Sequence, residues 1–348
     1  MYTDAVFQNG VYRSELVDLW LGALNENWLI DELRSHPIND SYWDSRRIND
    51  FAEVNVPAVH IGGWYDIFAR GTIDAFLGYQ NEGGPGAAGH QHLLMGPWTH
   101  DIGNPSVGEL GYPDARSAQH NEILLAWLQA CVLSDDLTPL DEIPAVTYYT
   151  MGAAKEEGAP GNIWRTAETW PPAGTADVSV YLHPGGEFSA QMPDANGGSS
   201  MFIADPENPV PSVGGANLNT KAGAYDQRDI EARDDVLVFT TAPLENPIDV
   251  TGDLRAEIWM LTDAPDVDVV VRIMDVYPDG RSMLVLDSAM RARYHASPNF
   301  SSADTLQPET PYLLSFDLGP TSIVFNTGHS VRVSITSSAY PRYMPNPN

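Results

Sequence analysis

Cysteine is almost absent: Cys131 is the one example in 348 residues, which excludes a disulfide framework, a cysteine-based zinc cluster and a dithiol redox pair. Lysine is nearly as scarce, at Lys155 and Lys221 only, and 18 basic residues face 47 acidic ones for a formal net charge of −29. A surface of that sign repels phosphate backbones and anionic lipid, so neither nucleic acid nor a membrane is an expected partner. It equally suits a salt-rich habitat or plain solubility. No apolar run reaches the length of a bilayer span, and no signal-peptide pattern opens the sequence. Cys131 itself lies in the apolar stretch Ile123–Leu133, where a buried structural thiol is expected.

What is abundant points to packed structure. Apolar residues make up 43% of the chain, with nine Trp, fifteen Tyr and ten Phe, a composition for globular cores, and the length suggests two domains. From Tyr12 to Arg34 the residues Leu16, Leu19, Trp20, Leu24, Trp28 and Leu33 recur at helical spacing, predicting one apolar face of an amphipathic helix or helix pair that His36-Pro37 stops. Ser35 to Glu53 reads as a loop or short helix. Val56 to Ile61 reads as a buried strand, Ile67 to Gln80 as a helix, His92 to Met95 as a second strand, and Ala115 to Leu133 as a long helix. Strand, helix, strand, helix is an α/β order, implying parallel strands with crossover helices.

Beyond about residue 135 the texture changes. Ala145–Thr150, Val178–Leu182, Val236–Thr240, Ala256–Met260, Val267–Ile273, Met283–Leu286, Tyr312–Phe316 and Val331–Ile335 are strand-like, and Pro, Gly, Asn and Asp separate them. This half reads as an antiparallel sandwich or jelly roll. The expected division is 1–53 before the first strand, 54–140 as the α/β part and 141–348 as the β part.

In an open α/β sheet, catalytic groups gather beyond the carboxyl ends of the strands. Two loops are so placed: Gly62-Gly-Trp-Tyr-Asp66 and Met95-Gly-Pro-Trp-Thr-His100. An acid after one strand and a histidine after the next is the tail of the α/β-hydrolase order Ser, Asp, His, in which the Asp orients the imidazole and the His moves the proton. A plainer reading stands beside it. Asp66 directly precedes a predicted helix and suits its N-cap, and His100-Asp101 suits an ordinary turn.

Val56-Pro-Ala-Val-His-Ile-Gly-Gly-Trp-Tyr-Asp-Ile-Phe68 and Leu94-Met-Gly-Pro-Trp-Thr-His100 resemble the signature loops of the X-prolyl dipeptidyl-peptidase and cocaine esterase superfamily of serine α/β-hydrolases. The β-rich half is similar to that family's C-terminal jelly-roll domain at Met151-Gly152, Trp164-Arg165, Trp170-Pro171, Pro209–Gly215, Asp226-Gln-Arg228 and Asp275–Arg281. The resemblance runs from about His36 to the last residue. It implies that Asp66 and His100 are the triad acid and base, and that residues 1–53 are a remnant of a helical cap. It also implies a small-molecule or short-peptide acyl substrate, with no cofactor and no metal. Phe68 matches a position lining the acyl pocket in cocaine esterase, the alternative being a helix residue facing the core.

The same resemblance implies a serine on a G-x-S-x-G elbow upstream of the acid, and the sequence contains none. Ser106 and Ser212 each have a glycine two residues on but lack the preceding one. Ser106 also follows His100, and Ser212 lies in the β-rich half. The oxyanion-hole donors belong to the same missing part. We therefore expect a fragment of a longer enzyme, inactive alone. The alternative is a non-catalytic β-sandwich binding module with a degenerate hydrolase remnant, using Trp164, Trp170 and Trp259 as a platform. A metal site among Asp263, Asp266, Asp268, Asp275 and Asp279 lacks EF-hand spacing, and solvated strand ends are expected there instead.

Overall fold

The protein was analysed as a computed structural model, which describes residues 2–48, 50–116, 118–134, 137–194 and 197–347. After a π-helical segment (Tyr2–Val6) and a short antiparallel pair (Phe7–Gln8 with Val11–Tyr12) come two α-helices, α1 (Ser14–Ala23) and α2 (Asn27–Arg34). The break between them is set by Asn25 at positive φ, and it resets the helical phase. Leu16, Val17, Leu21, Ile30 and Leu33 are buried, whereas Leu19, Trp20, Leu24 and Trp28 are exposed. The single apolar stripe expected from the sequence is thus not one face.

The α/β part follows as β1 (Ala58–Tyr65), α3 (Ala69–Glu82), β2 (Gln91–Thr99) and α4 (Ala118–Leu128). β1 and β2 pair in parallel, with Ala58 opposite Gln91, as the crossover helix requires. β3 (Val146–Thr150) and β4 (Ile163–Ala167) extend this sheet in the order β1-β2-β3-β4, with β3 parallel to β2 and β4 antiparallel to β3. Val146–Thr150 was read from sequence with the β-rich half. Its five residues are all buried, which suits a strand covered on both faces rather than one alternating between core and solvent.

The remaining long strands are β5 (Leu237–Thr240), β6 (Ile248–Met260), β7 (Asp268–Val276), β8 (Ser282–Arg291), β9 (Tyr312–Phe325) and β10 (Ser330–Thr336). They form an antiparallel sheet ordered β5-β10-β7-β8 and a long antiparallel ribbon of β6 with β9. The chain leaving β3 grips that ribbon: Met151 N–H donates to the Ser322 carbonyl and Val324 N–H to the Met151 carbonyl, at 2.9 and 2.8 Å. One hydrophobic cluster runs through both parts, joining Trp64, Tyr65, Leu93 and Tyr149 to Val271, Leu314 and Phe325. The α/β sheet is therefore seated on β structure, fixing the ends of β1 and β2.

Candidate active site

β1 and β2 run further than their apolar residues indicate, through both glycines of one loop and through Pro97 of the other. Glycine is required here by close approach rather than by a turn. A Cβ on Gly63 would lie 2.1 Å from the Trp98 carbonyl oxygen, and one on Gly96 would lie 2.3 Å from the Trp98 ring. Gly63 faces Gly96 while Tyr65 faces Thr99, so Pro97 and Trp98 together oppose Trp64. This is a β-bulge, the place in a sheet where proline is tolerated. Its consequence is alignment: the next residues out of the two strands, Asp66 and His100, emerge side by side.

Asp66 is 5% exposed, and its Oδ1 accepts from His100 Nδ1 at 3.0 Å. The same oxygen accepts from the Phe68 amide at 3.0 Å, while the Asp66 carbonyl accepts from the Ala69 amide. The local role considered from sequence is therefore real, but as an Asx turn leading into α3 rather than as its N-cap. One carboxylate performs both tasks. The turn fixes the carboxylate, and the carboxylate fixes the tautomer of the imidazole by holding Nδ1 as a donor.

His100 is 45% exposed at its side chain, and its Nε2 has no hydrogen-bond partner among the described residues. An imidazole held at Nδ1 by a buried carboxylate and open at Nε2 can take a proton there while the carboxylate stabilises the resulting cation. Phe68 precedes α3 and is 37% exposed. Its ring meets the imidazole edge-on at 5.5 Å, so it does not face the core.

Residues that the sequence did not single out hold this arrangement. Trp64 Nε1 donates to the Tyr149 carbonyl at 2.7 Å, and the Tyr65 hydroxyl donates to the Leu284 carbonyl at 2.9 Å. Burial raises the Tyr65 pKa, so this donor stays protonated. Buried Arg13 reaches the Ile67 carbonyl at 3.2 Å. Arg70, on the first turn of α3, bridges Asp74, Asp253 and Asp317 and so ties the acid loop to β6 and β9. The only legible signal for these was the aromatic pair preceding the acid.

The other expectations fare variously. Ser106 lies in a two-residue strand, Ser106–Val107, and Ser212 donates nothing to either loop; its Oγ accepts from the Arg342 amide. Trp170 is buried against Trp64 and Tyr148, Trp164 packs on Trp98 and Tyr149, and Trp259 is exposed on β6. Asp266, Asp268 and Asp275 are not solvated strand ends: all three are buried, the first two paired with Arg293 and Arg291 and the third with His329. Among the described residues no group of three His, Cys, Asp or Glu side chains is arranged to hold a metal. Cys131 is partly rather than fully buried, and desolvation raises its thiol pKa. A cleft of about 840 Å³ lined by Glu122, Glu142, Tyr148, Trp164 and Arg165 includes none of Asp66, Phe68 or His100.

Comparison with known proteins finds matches along most of the chain. Residues 3–101 match the model of the X-Pro dipeptidyl-peptidase (S15 family), and residues 140–348 match that of the X-Pro dipeptidyl-peptidase C-terminal non-catalytic domain. The chain is 30% identical to the cocaine esterase of Rhodococcus sp. (strain MB1 Bresler) over 339 residues, covering 92% of this chain and 55% of that one. An aminopeptidase structure from a marine sediment archaeon, Thaumarchaeota archaeon, is 25% identical with a TM-score of 0.85, covering 100% of this chain and 64% of that one. An α-amino acid ester hydrolase structure, 23% identical with a TM-score of 0.78 over 100% of this chain and 65% of that one, shares the fold. The chain thus spans between about half and two thirds of the length of these relatives. With both halves matched by its models, the chain belongs to the X-Pro dipeptidyl-peptidase and cocaine esterase superfamily of hydrolases.

Proposed function

We propose that this chain carries the acid and base of a serine hydrolase that cleaves esters or amides through an acyl-enzyme, with Asp66 orienting and His100 transferring the proton. The observation that carries the reading is the 3.0 Å bond from His100 Nδ1 to a buried Asp66, on an imidazole that is half exposed and whose Nε2 has no hydrogen-bond partner among the described residues. The nucleophilic serine and the oxyanion donors lie on polypeptide outside this sequence, which has no G-x-S-x-G. The chain by itself therefore forms no acyl-enzyme. Residues 1–53 serve as the remnant of a helical cap, 54–140 as the C-terminal part of the hydrolase core and 141–348 as a jelly-roll β-sandwich.

Phe68 is the proposed acyl-side contact. A phenyl ring edge-on to the base offers an apolar wall where a charged residue would select charged substrates. The substrate is accordingly a small-molecule or short-peptide acyl compound whose acyl side is apolar. Within that class, the chemistry needs only Nε2 to accept the serine proton and return it to the leaving group.

The test is direct. Purified chain mixed with p-nitrophenyl acetate gives no burst, and a fluorophosphonate probe labels no serine. A polypeptide joining a serine-elbow α/β segment to this sequence hydrolyses the ester. A burst from the chain alone that disappears with His100→Ala would overturn the proposal that the nucleophile lies elsewhere.

A further inference from the structure

His100 is carried by a loop whose far end is built into the β part. From the imidazole onward, short-range bonds leave the chain little slack. The Asp101 amide donates to Thr99 Oγ1 at 3.3 Å, Asn104 Nδ2 to Asp101 Oδ2 at 2.8 Å, and the Ser106 amide to Asn104 Oδ1 at 2.9 Å. A small hairpin follows, Ser106–Val107 with Leu110–Gly111, closed by a bond from the Tyr112 amide to the Pro105 carbonyl at 2.8 Å.

The tip of that hairpin lies on residues 223–227. Gly108 and Ala224 form a parallel bridge, the Glu109 amide donates to the Ala224 carbonyl at 2.8 Å, and Glu109 Oε2 accepts from the Asp226 amide at 3.1 Å. The approach leaves no room for a side chain on either strand. A Cβ on Gly108 would lie 2.3 Å from the Ala224 carbonyl oxygen, and one on Gly223 would lie 2.7 Å from the Gly108 nitrogen. Val107 and Ala224, beside these glycines, are wholly buried.

Residues 223–227 are in turn fixed to β8. The Gln227 amide donates to the Ser282 carbonyl at 2.8 Å, the Ser282 amide to Asp226 Oδ1 at 3.1 Å, and the Leu284 amide to the Tyr225 carbonyl at 3.0 Å. The Leu284 carbonyl is also the acceptor of the Tyr65 hydroxyl, on the residue before Asp66. Residues 282–284 thus hold the acid loop directly and the base loop through the 223–227 segment. The imidazole's own contacts are one bond to Asp66 and the edge of the Phe68 ring, so its backbone is placed by the loop.

We propose that the β part positions the base: Glu109, joined to residues 223–227, is a positioning residue for His100, and β8 keeps Asp66 and His100 in register as one frame. The inference rests on the reading of those two residues as the catalytic acid and base. Among the described residues Glu109 makes no hydrogen bond to either of them, so it acts through the loop backbone. The Asp226-Gln-Arg228 motif thereby acquires a task at the site, although it lies in the other half of the chain.

The experiment follows solvent exchange of the His100 Nδ1 proton by NMR in the whole chain, with the His329 Nδ1 proton as internal reference. Glu109→Ala should speed exchange at His100 by about five- to tenfold, the protection lost with one hydrogen bond, and leave His329 unchanged. Glu109→Gln, which keeps an acceptor for the Asp226 amide, should restore the original rate. Tyr65→Phe, which releases the other end of the frame, should act as Glu109→Ala does; should it not fold, the Glu109 pair decides alone. A Glu109→Ala chain with lower Tm but unaltered exchange at His100 would overturn the inference, as would equal changes at both histidines. A His100 that lacks the Nδ1–H tautomer in the unsubstituted chain would overturn the catalytic pair itself, a separate failure.

Discussion

Two histidine–aspartate pairs of similar bond geometry sit in different surroundings. His100 Nδ1 meets Asp66 Oδ1 at 3.0 Å, and His329 Nδ1 meets Asp275 Oδ1 at 2.7 Å. The second histidine, however, is 0% exposed. Its Nε2 is taken by Glu156 Oε1 at 3.1 Å, Glu156 Oε2 accepts from Asn326, and the Tyr277 ring lies against the imidazole. The lesson is that an Asp–His pair is not in itself a catalytic feature. What separates the two is the free nitrogen: open at the strand ends for His100, consumed in the β part for His329. In the proposed reading the first pair serves proton transfer and the second cohesion.

The sharpest way to break this contrast is to truncate each histidine in a polypeptide that also carries the serine segment. His100→Ala should lower kcat by roughly 10⁴-fold or more with a smaller fall in the urea midpoint than His329→Ala, because the imidazole is half exposed and Asp66 keeps its bond from the Phe68 amide. His329→Ala should do the reverse, leaving kcat within a few-fold while removing about 3 kcal/mol of stability, since it strands a buried carboxylate. Exchange of those two outcomes would reverse the assignment.

The pairs also differ in how stability follows pH. Burial by itself would lower the His329 pKa, but hydrogen bonds and charge from Asp275 and Glu156 outweigh it, so the folded pKa lies above the ordinary value. The stability it contributes is fully present below about pH 6.5 and is lost as pH rises through the folded pKa. His60 is the opposite case: burial lowers its pKa, only partly offset by Gln91, so its contribution is present above about pH 6.5 and fades as pH falls. Chemical denaturation between pH 5 and pH 9 should show the alkaline decline disappear in His329→Gln, a structural signature that His100→Ala leaves in place.

Smaller changes probe the alignment itself. Gly63→Ala places a methyl against the Trp98 backbone, which cannot swing aside, so a loss of about 1–3 kcal/mol is expected. A lower kcat should accompany it, because the bulge sets Asp66 beside His100. Arg70→Ala should have the least effect, about 1 kcal/mol or less, because the arginine is substantially solvent-exposed. Hydrogen exchange that quickens only at residues 66–72 would show its hold on the acid loop.

The α/β order and both candidate residues were legible because strand-ending Asp and His loops are local in sequence. The length of β1 and β2 was not, since glycine and proline read as breakers unless the opposing strand supplies the bulge that needs them. Nor was the seat of Val146–Thr150 on the parallel sheet, which an apolar run of five residues leaves undecided between partners. The exposed half of the α1–α2 stripe escaped because helical spacing does not say which of the i, i+3 and i+4 positions meets the core: within α1 itself Leu16 is buried while Leu19 and Trp20 are exposed. His329 and Asp275 are far apart in the chain, and only pairing of β7 with β10 reveals them as a buried pair.

The most direct measurement is the tautomer of His100 by ¹⁵N NMR on the labelled chain at pH 8, with His329→Gln used to assign the second pair. The account predicts that His100 is the Nδ1–H tautomer with an unprotonated Nε2, and that Asp66→Ala returns it to the Nε2–H form that free imidazole side chains favour. A His100 already in the Nε2–H form, or one indifferent to Asp66→Ala, would contradict the claim that this acid orients this base.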